Sequence, residues 1–310
     1  MNALVTGATG FAGTYLVAAL RQTGHDVLAA GGPHDTRALP IDLSDIDSLR
    51  AAVELAKPDV VFHLAAQTFV PDAIVKPEAT FEANVRGTAL LARAIREYRD
   101  RERREVRLLF TSSAEVYGPQ PDDAFPLTES AERHPTNPYA QSKLDAEGVL
   151  LDEFRVHGLS VMIVRAFNHI GPGQNERFAV ASFAAQLARI AAGASPQLYV
   201  GNLDARRDFL DVRDVVRAYV AVVELGTAGE IYNVCSGEAR SMRDVLRELI
   251  IAAHVPVEVR DDPARMRPSD VPLFVGSNRK LREATGWTPA IPFRASIKDI
   301  YAAAQSTIAS

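Results

Sequence analysis

Val5–Gly13, VTGATGFAG, places glycines at 7, 10 and 13 where one hydrophobic period gives way to another. Before it, NALVT (residues 2–6) reads as a strand, and from Phe11 onward the apolar positions take helical spacing. Glycines at such a turn let backbone amides approach a pyrophosphate, and the N-terminus of the helix adds the positive end of its dipole. The spacing is G-x-x-G-x-x-G rather than the commoner G-x-G-x-x-G. With a strand before it and a helix after it, the stretch reads as a dinucleotide site; the plainer alternative is a tight strand-to-helix turn.

Outward from this turn, β-branched runs alternate with helix-period segments. The strand candidates are NALVT, DVLAA, DVVFHLA, VRLLFTSS and SVMIVRAF, with helices near residues 11–23, 45–56, 78–99 and 138–157. That alternation predicts an α/β fold, a Rossmann-type doubly wound parallel sheet whose ligands lie at the carboxyl ends of its strands. After Phe167 the rhythm loosens around GPGQ, GASPQ and DDPARMRPSD. The expected division is a dinucleotide-binding domain over 1–167, parts of 205–235 returning to it, and a smaller α/β lobe over 168–310 that holds substrate.

The 310 residues carry a net charge of −5, which gives no electrostatic reason to expect nucleic acid as partner. The locally basic run RDRERREVR (99–107) is interspersed with acids and reads as a solvated helix end. Cys235 is the only cysteine, so neither an intramolecular disulfide nor a multi-cysteine metal site is available, and no metal is expected. Met1 leads at once into a strand-like run, and no apolar stretch reaches the ~18 residues of a membrane span. The expected compartment is the cytoplasm, with no membrane partner.

DVLAA is followed by GGPHDTR, with no acid where an adenine ribose hydroxyl would be held. Asp35 comes later, and Arg37 offers a partner for a 2′-phosphate. NAD(H) and NADP(H) both remain open, with a lean to NADP(H). Asp42, in IDLSD, suits an adenine amino group as well as it suits a helix cap.

NPYAQSK (137–143) sets Asn137 at a cap, Pro138 at the first helical position, and Tyr139 and Lys143 one turn apart. A well-made helix start accounts for the first two. The second pair puts an ammonium beside a phenol, which predicts a tyrosine pKa below ~10 and a group able to exchange a proton with a substrate oxygen. Upstream, LLFTSSAEVYG ends a strand at Ser113.

With Gly7, Gly10 and Gly13, HLAA at 63–66, Asn84 in NVRGT, the serine motif and the Tyr-Lys pair, the chain resembles the extended short-chain dehydrogenase/reductase family of nucleotide-sugar epimerases, dehydratases and reductases. The resemblance implies Tyr139 as acid/base, Lys143 on the nicotinamide ribose, and Ser113 on the sugar oxygen. It implies cofactor contacts from Gly7, Gly10, Phe11, Gly13, Asp42, Leu43, Leu64, Ala65, Ala66, Tyr139 and Lys143.

RAFNHIGPGQ (165–174) and RPSDVPLFVGSNRKLREATGW (267–287) look like their counterparts in the GDP-4-keto-6-deoxy-D-mannose reductases of that family, with Ala166 and Ser277 departing from the usual proline and aspartate. By that resemblance Arg207 and Arg267 hold the sugar-nucleotide diphosphate, a task suited to the planar guanidinium fork. Asn168 approaches the phosphates or the sugar, whereas His169 equally suits a packed histidine. The implied reaction is reduction of GDP-4-keto-6-deoxy-D-mannose to GDP-D-rhamnose with NAD(P)H.

Glu115 stands where sugar 4,6-dehydratases of the family carry the base that removes the C5 proton, so a GDP-mannose 4,6-dehydratase is the second reading and a 4-epimerase the third. A non-catalytic dinucleotide sensor on the same fold is the remote one. The family also implies a homodimer through a four-helix bundle, with Leu91, Ile95, Leu144 and Leu151 as apolar positions on its helices.

Overall fold

The computed structural model describes residues 1–266 and 271–309. Six of its parallel strands come in chain order from the first part of the molecule: β1 (Asn2–Thr6), β2 (Asp26–Gly31), β3 (Leu39–Pro40), β4 (Val60–His63), β5 (Arg107–Ser113) and β6 (Ser160–Ala166). A seventh, Ile231–Val234, returns from far along the chain to pair with β6. From that strand the spatial order is β6, β5, β4, β1, β2, β3. The chain therefore runs outward from β1 to β3, then crosses to β4 and continues the other way. The reversal lies between β1 and β4, and it opens a crevice above Thr6 and His63, whose strands pair in register there.

Residues along each strand alternate between two cores. Ala3, Val5, Val60, Phe62 and Leu109 pack under the helices Phe11–Gln22 and Val212–Leu225. Leu4, Val61, Leu108 and Phe110 face the other way, with the helices Ile46–Ala56, Gly87–Glu102 and Pro138–His157. Burial on both faces explains why these strands read as continuous apolar runs. A separate core around Phe183, Leu187, Val245, Leu249 and Tyr301 builds the C-terminal lobe.

The helix expected over 78–99 is broken. A short Pro77–Phe81 helix runs into a π-helical turn, Glu82–Arg86, before the Gly87–Glu102 helix begins. Asn84 accounts for the turn: its side chain accepts from Gln67 N at 2.8 Å and donates to Gln67 O at 3.0 Å and to Ser142 Oγ at 2.9 Å. Thr88 Oγ1 donates to the Asn84 carbonyl at 2.7 Å. Side-chain partners of this kind substitute for regular helical bonds, and π-turns gather at functional sites.

Leu91 and Ile95, expected on a dimer surface, are fully buried in the subunit's own core, and Leu144 and Leu151 are half-buried against it. An apolar stripe on a helix packed against a sheet faces that sheet first. Among the described residues, no helix is long and apolar enough to cross a membrane.

Candidate active site

Gly7 has φ +69°, in the left-handed region that glycine enters without penalty, and a Cβ there would lie 2.7 Å from Ala65 N. At Gly13 a Cβ would come within 2.1 Å of the Gly7 carbonyl. The loop therefore folds back on the start of its own helix and against the end of β4, which sets Leu64 and Ala65 beside it. The Phe11–Gln22 helix starts at Gly10 with no side-chain cap and no acid in its first turn. Its first amides remain free for an anion, and a phosphate suits the cradle.

At the end of β2 the cofactor region differs from expectation. Arg37 is bound to Asp35 through two guanidinium bonds, at 3.0 and 2.8 Å, and the Asp35 side chain lies 3.0 Å from where a Gly31 Cβ would stand. The Arg37 bonds, with Thr9 of the glycine loop close by, hold the Asp35 carboxyl well below the usual carboxylate range. An acid thus lies at the end of β2 although none stands there in sequence, and the Arg37 charge is paired. Asp42 accepts from the amide and hydroxyl of Ser44, and the helix cap falls instead to Asp45, which accepts from Asp47 N at 3.0 Å. Leu43 packs against Gly87.

Across the crevice, Asn137 caps the Pro138–His157 helix by accepting from Ala140 N at 2.9 Å. Tyr139 and Lys143 are both buried on the face of that helix turned to β5. Lys143 Nζ donates to the Thr111 carbonyl at 2.7 Å and stands 4.6 Å from the centre of the Phe110 ring. The Tyr139 hydroxyl lies near that of Ser113, the last residue of β5.

The expected lowering of the tyrosine by its lysine neighbour is not what the geometry produces. Burial pushes Tyr139 up to about 12, opposed by the Ser113 hydroxyl and reinforced by the Glu115 charge. Burial likewise brings Lys143 down to about 7. With its ammonium committed to a carbonyl, the lysine gives the phenol little help, and desolvation dominates both groups.

Two supporting networks have no local signature in the sequence, because their members lie far apart along the chain. Buried His63 joins Thr6 Oγ1 (2.7 Å) to Thr88 Oγ1 (2.9 Å). Thr88 already spends its only proton on the Asn84 carbonyl, so His63 must donate from Nε2 and accept at Nδ1 from Thr6. Burial holds this neutral ring down at about 3. One directed chain thus connects the residue before Gly7 to the π-turn beside Ser142. In the second network, Glu147 and Arg165 form a fully buried ion pair below Lys143.

On the far side, Asn168 is exposed on a short strand that pairs with Phe209–Asp211. Arg207, on the Arg206–Asp211 strand, donates to the Val271 carbonyl at 2.6 Å. Arg267 lies outside the described residues. His169 Nδ1 donates to the Phe167 carbonyl at 3.2 Å, and the ring stacks on Phe11 of the glycine-loop helix at 5.9 Å and 5°. Glu115 is exposed and accepts from Asn137 Nδ2 at 3.2 Å.

The chain resembles known proteins along nearly its whole length. Residues 4–300 match a family model described as GDP-mannose 4,6 dehydratase. The chain is 40% identical to the GDP-6-deoxy-D-mannose reductase of Pseudomonas aeruginosa over 96% of its own length and 94% of that protein's. A solved structure described as RMD from Pseudomonas aeruginosa complexed with NADPH superimposes with a TM-score of 0.89 at 38% identity, covering 99% of this chain and 100% of that one. The UDP-glucose 4-epimerase of Thermus thermophilus, solved with NAD, follows with a TM-score of 0.86 at 30% identity, covering 98% of this chain and 99% of that one.

Proposed function

The chain belongs to the GDP-mannose 4,6-dehydratase family of extended short-chain dehydrogenases/reductases, and we propose that it reduces the 4-keto group of GDP-4-keto-6-deoxy-D-mannose, giving GDP-D-rhamnose. The observation that carries this reading is that Tyr139, Ser113 and Lys143 are buried together where the end of β5 meets the Pro138–His157 helix, at the same edge of the parallel sheet as the glycine turn that follows β1. The chain's similarity to a GDP-6-deoxy-D-mannose reductase along nearly the full length supports the substrate class.

Gly7, Gly10 and Gly13 with the first turn of their helix would hold the pyrophosphate of NADP(H) or NAD(H), and Lys143 the nicotinamide ribose. Phe11, Leu64, Ala65 and Ala66 would line the site, with Asp42 and Leu43 towards the adenine. When bound, the reduced nicotinamide supplies a hydride. Tyr139 gives its proton to the oxygen at C4 while Ser113 hydrogen-bonds that oxygen and fixes its position. A tyrosine held protonated up to about 12 keeps that proton available at any physiological pH. Asn168 and Arg207 face the sugar nucleotide from the C-terminal lobe, and Arg207 takes the diphosphate.

Glu115 favours a second reading, a 4,6-dehydratase, because its charge acts on Tyr139. Elimination needs such a base beside the ketone, whereas reduction does not. We also place the protein as a homodimer through the Gly87–Glu102 and Pro138–His157 helices, using outward positions such as Gly148, where a Cβ would meet nothing within 4 Å. Light scattering at micromolar concentration reads the mass directly.

The deciding experiment offers the protein GDP-mannose or GDP-4-keto-6-deoxy-mannose with NADPH or NADH, following nicotinamide absorbance and the product by NMR. Cofactor consumption with the keto sugar alone establishes the reductase. A keto product from GDP-mannose without net consumption replaces it with the dehydratase.

A further inference from the structure

Tyr139, Lys143 and Glu147 follow one another at four-residue intervals, which places them in one stripe on the Pro138–His157 helix, and all three are buried. The first two have roles in the proposed reaction, whereas a buried carboxylate two turns below the tyrosine has none. Burying a charge is costly unless it is paired and hydrogen-bonded, and Glu147 is both. Arg165, wholly buried at the end of β6, donates from Nε to Glu147 Oε1 at 2.9 Å and from a terminal nitrogen to Oε2 at 2.6 Å. Ser112 Oγ donates to Oε1 at 2.5 Å.

Each partner leads to a different part of the site. Ser112 is the neighbour of Ser113, so the Glu147 bond ties the serine end of β5 to the helix that carries Tyr139. Arg165 also donates to the Glu129 carbonyl at 3.2 Å and lies 4.8 Å from the centre of the Tyr117 ring. Tyr117 in turn donates to Asn233 Oδ1 at 2.7 Å, and Asn233 N donates to Glu129 Oε1 at 2.8 Å. The strand that bears Arg165 runs on into Asn168.

We propose that Glu147 is a positioning residue of this catalytic centre: its carboxylate, fixed by Arg165 and Ser112, supplies the buried counter-charge to Lys143 and locks the serine strand to the tyrosine helix. Lys143 is otherwise surrounded by the Thr111 carbonyl and Phe110 ring of β5, by His63 of β4, which is neutral at working pH, and by Tyr139 on its own helix. Burial draws the lysine down to about 7, and the Glu147 charge opposes that fall. The inference rests on the reading that the Lys143 ammonium holds the nicotinamide ribose.

The test measures NADPH affinity by calorimetric titration between pH 6 and 9 in wild type, Glu147→Gln and Ser112→Ala. The expected result for Glu147→Gln is near-wild-type affinity at pH 6 and binding about five- to tenfold weaker near pH 8, because the lysine now loses its proton earlier. Ser112→Ala keeps the carboxylate, so its curve should follow wild type while its kcat falls several-fold through the loosened serine.

Because Glu147→Gln leaves a buried guanidinium partly unpaired and can prevent folding, the double variant Glu147→Gln with Arg165→Met carries the same titration and should also weaken binding earlier in pH. A wild-type pH curve in either folded Glu147 variant, whatever its melting temperature, overturns the proposal. Absence of keto-sugar turnover in wild type would sink the reductase reading instead and leaves the NADPH titration interpretable.

Discussion

Lys143 and Tyr139 stand one turn apart on a single helix, yet the lysine ammonium donates to the Thr111 carbonyl while the tyrosine hydroxyl lies by Ser113. Under the proposed function the pair divides the labour: Lys143 would fix a position and Tyr139 would carry a proton. Tyr139→Phe should lower kcat by about 10²–10⁴ with little change in NADPH affinity, whereas Lys143→Met should weaken NADPH binding as well. Equal loss of affinity in both variants, read by titration, would remove the distinction.

Gly13 has no room for a side chain. A methyl group would meet the Gly7 carbonyl well inside van der Waals contact, so Gly13→Ala must spread the loop or distort the first helical turn. We expect NADPH affinity to fall at least about tenfold, with ~1–3 kcal/mol lost in stability. An alanine variant that binds NADPH as wild type does would mean that the loop is not the pyrophosphate cradle.

Asp35 carries a negative charge to the end of β2 and neutralises Arg37. A 2′-phosphate entering there meets the carboxylate and must draw the guanidinium away from it. Asp35→Ala should shift the NADPH-to-NADH affinity ratio towards NADPH by roughly tenfold, and Arg37→Ala should move it the other way or leave it unchanged. Dissociation constants for the two cofactors settle the point; an Asp35→Ala protein that turns towards NADH would contradict it.

His63 contributes to the acid side of the stability profile. Its folded pKa lies near 3, below the unfolded value of 6.5, so the folded ring costs nothing above pH 6.5. As pH falls from 6.5 towards 3 the unfolded chain takes up a proton that the folded chain refuses, and stability drops by up to ~1.4 kcal/mol per pH unit from this group. Urea unfolding of wild type and His63→Gln at pH 7 and pH 5 should show a smaller acid loss in the variant. Parallel losses would assign the acid sensitivity to other groups.

Glu115 bonds the cap of the Tyr139 helix from an exposed position. Glu115→Gln keeps that contact and removes only the charge, so keto-sugar reduction should stay within about threefold of wild type. A loss comparable to that of Tyr139→Phe would make the carboxylate part of the reaction and favour the dehydratase.

The alternation of apolar runs with helical segments, the glycine turn and the Tyr139–Lys143 spacing were all legible in the chain, because each depends on residues within a few positions of one another. Periodicity and cap chemistry are local, and Asn137 with Pro138 begins its helix as such residues do. What the tertiary structure alone decided is which distant residues share a desolvated space. Asp35 swings back to the glycine loop, His63 bridges Thr6 to the π-turn at Asn84, and Arg165 meets Glu147 below the lysine. Leu91 and Ile95 turn inward for the same reason, since an apolar stripe identifies a buried face without naming its partner. Proton affinities belong to this second class: an ammonium four residues from a phenol predicts a lowered tyrosine, but burial, which no spacing encodes, raises it instead.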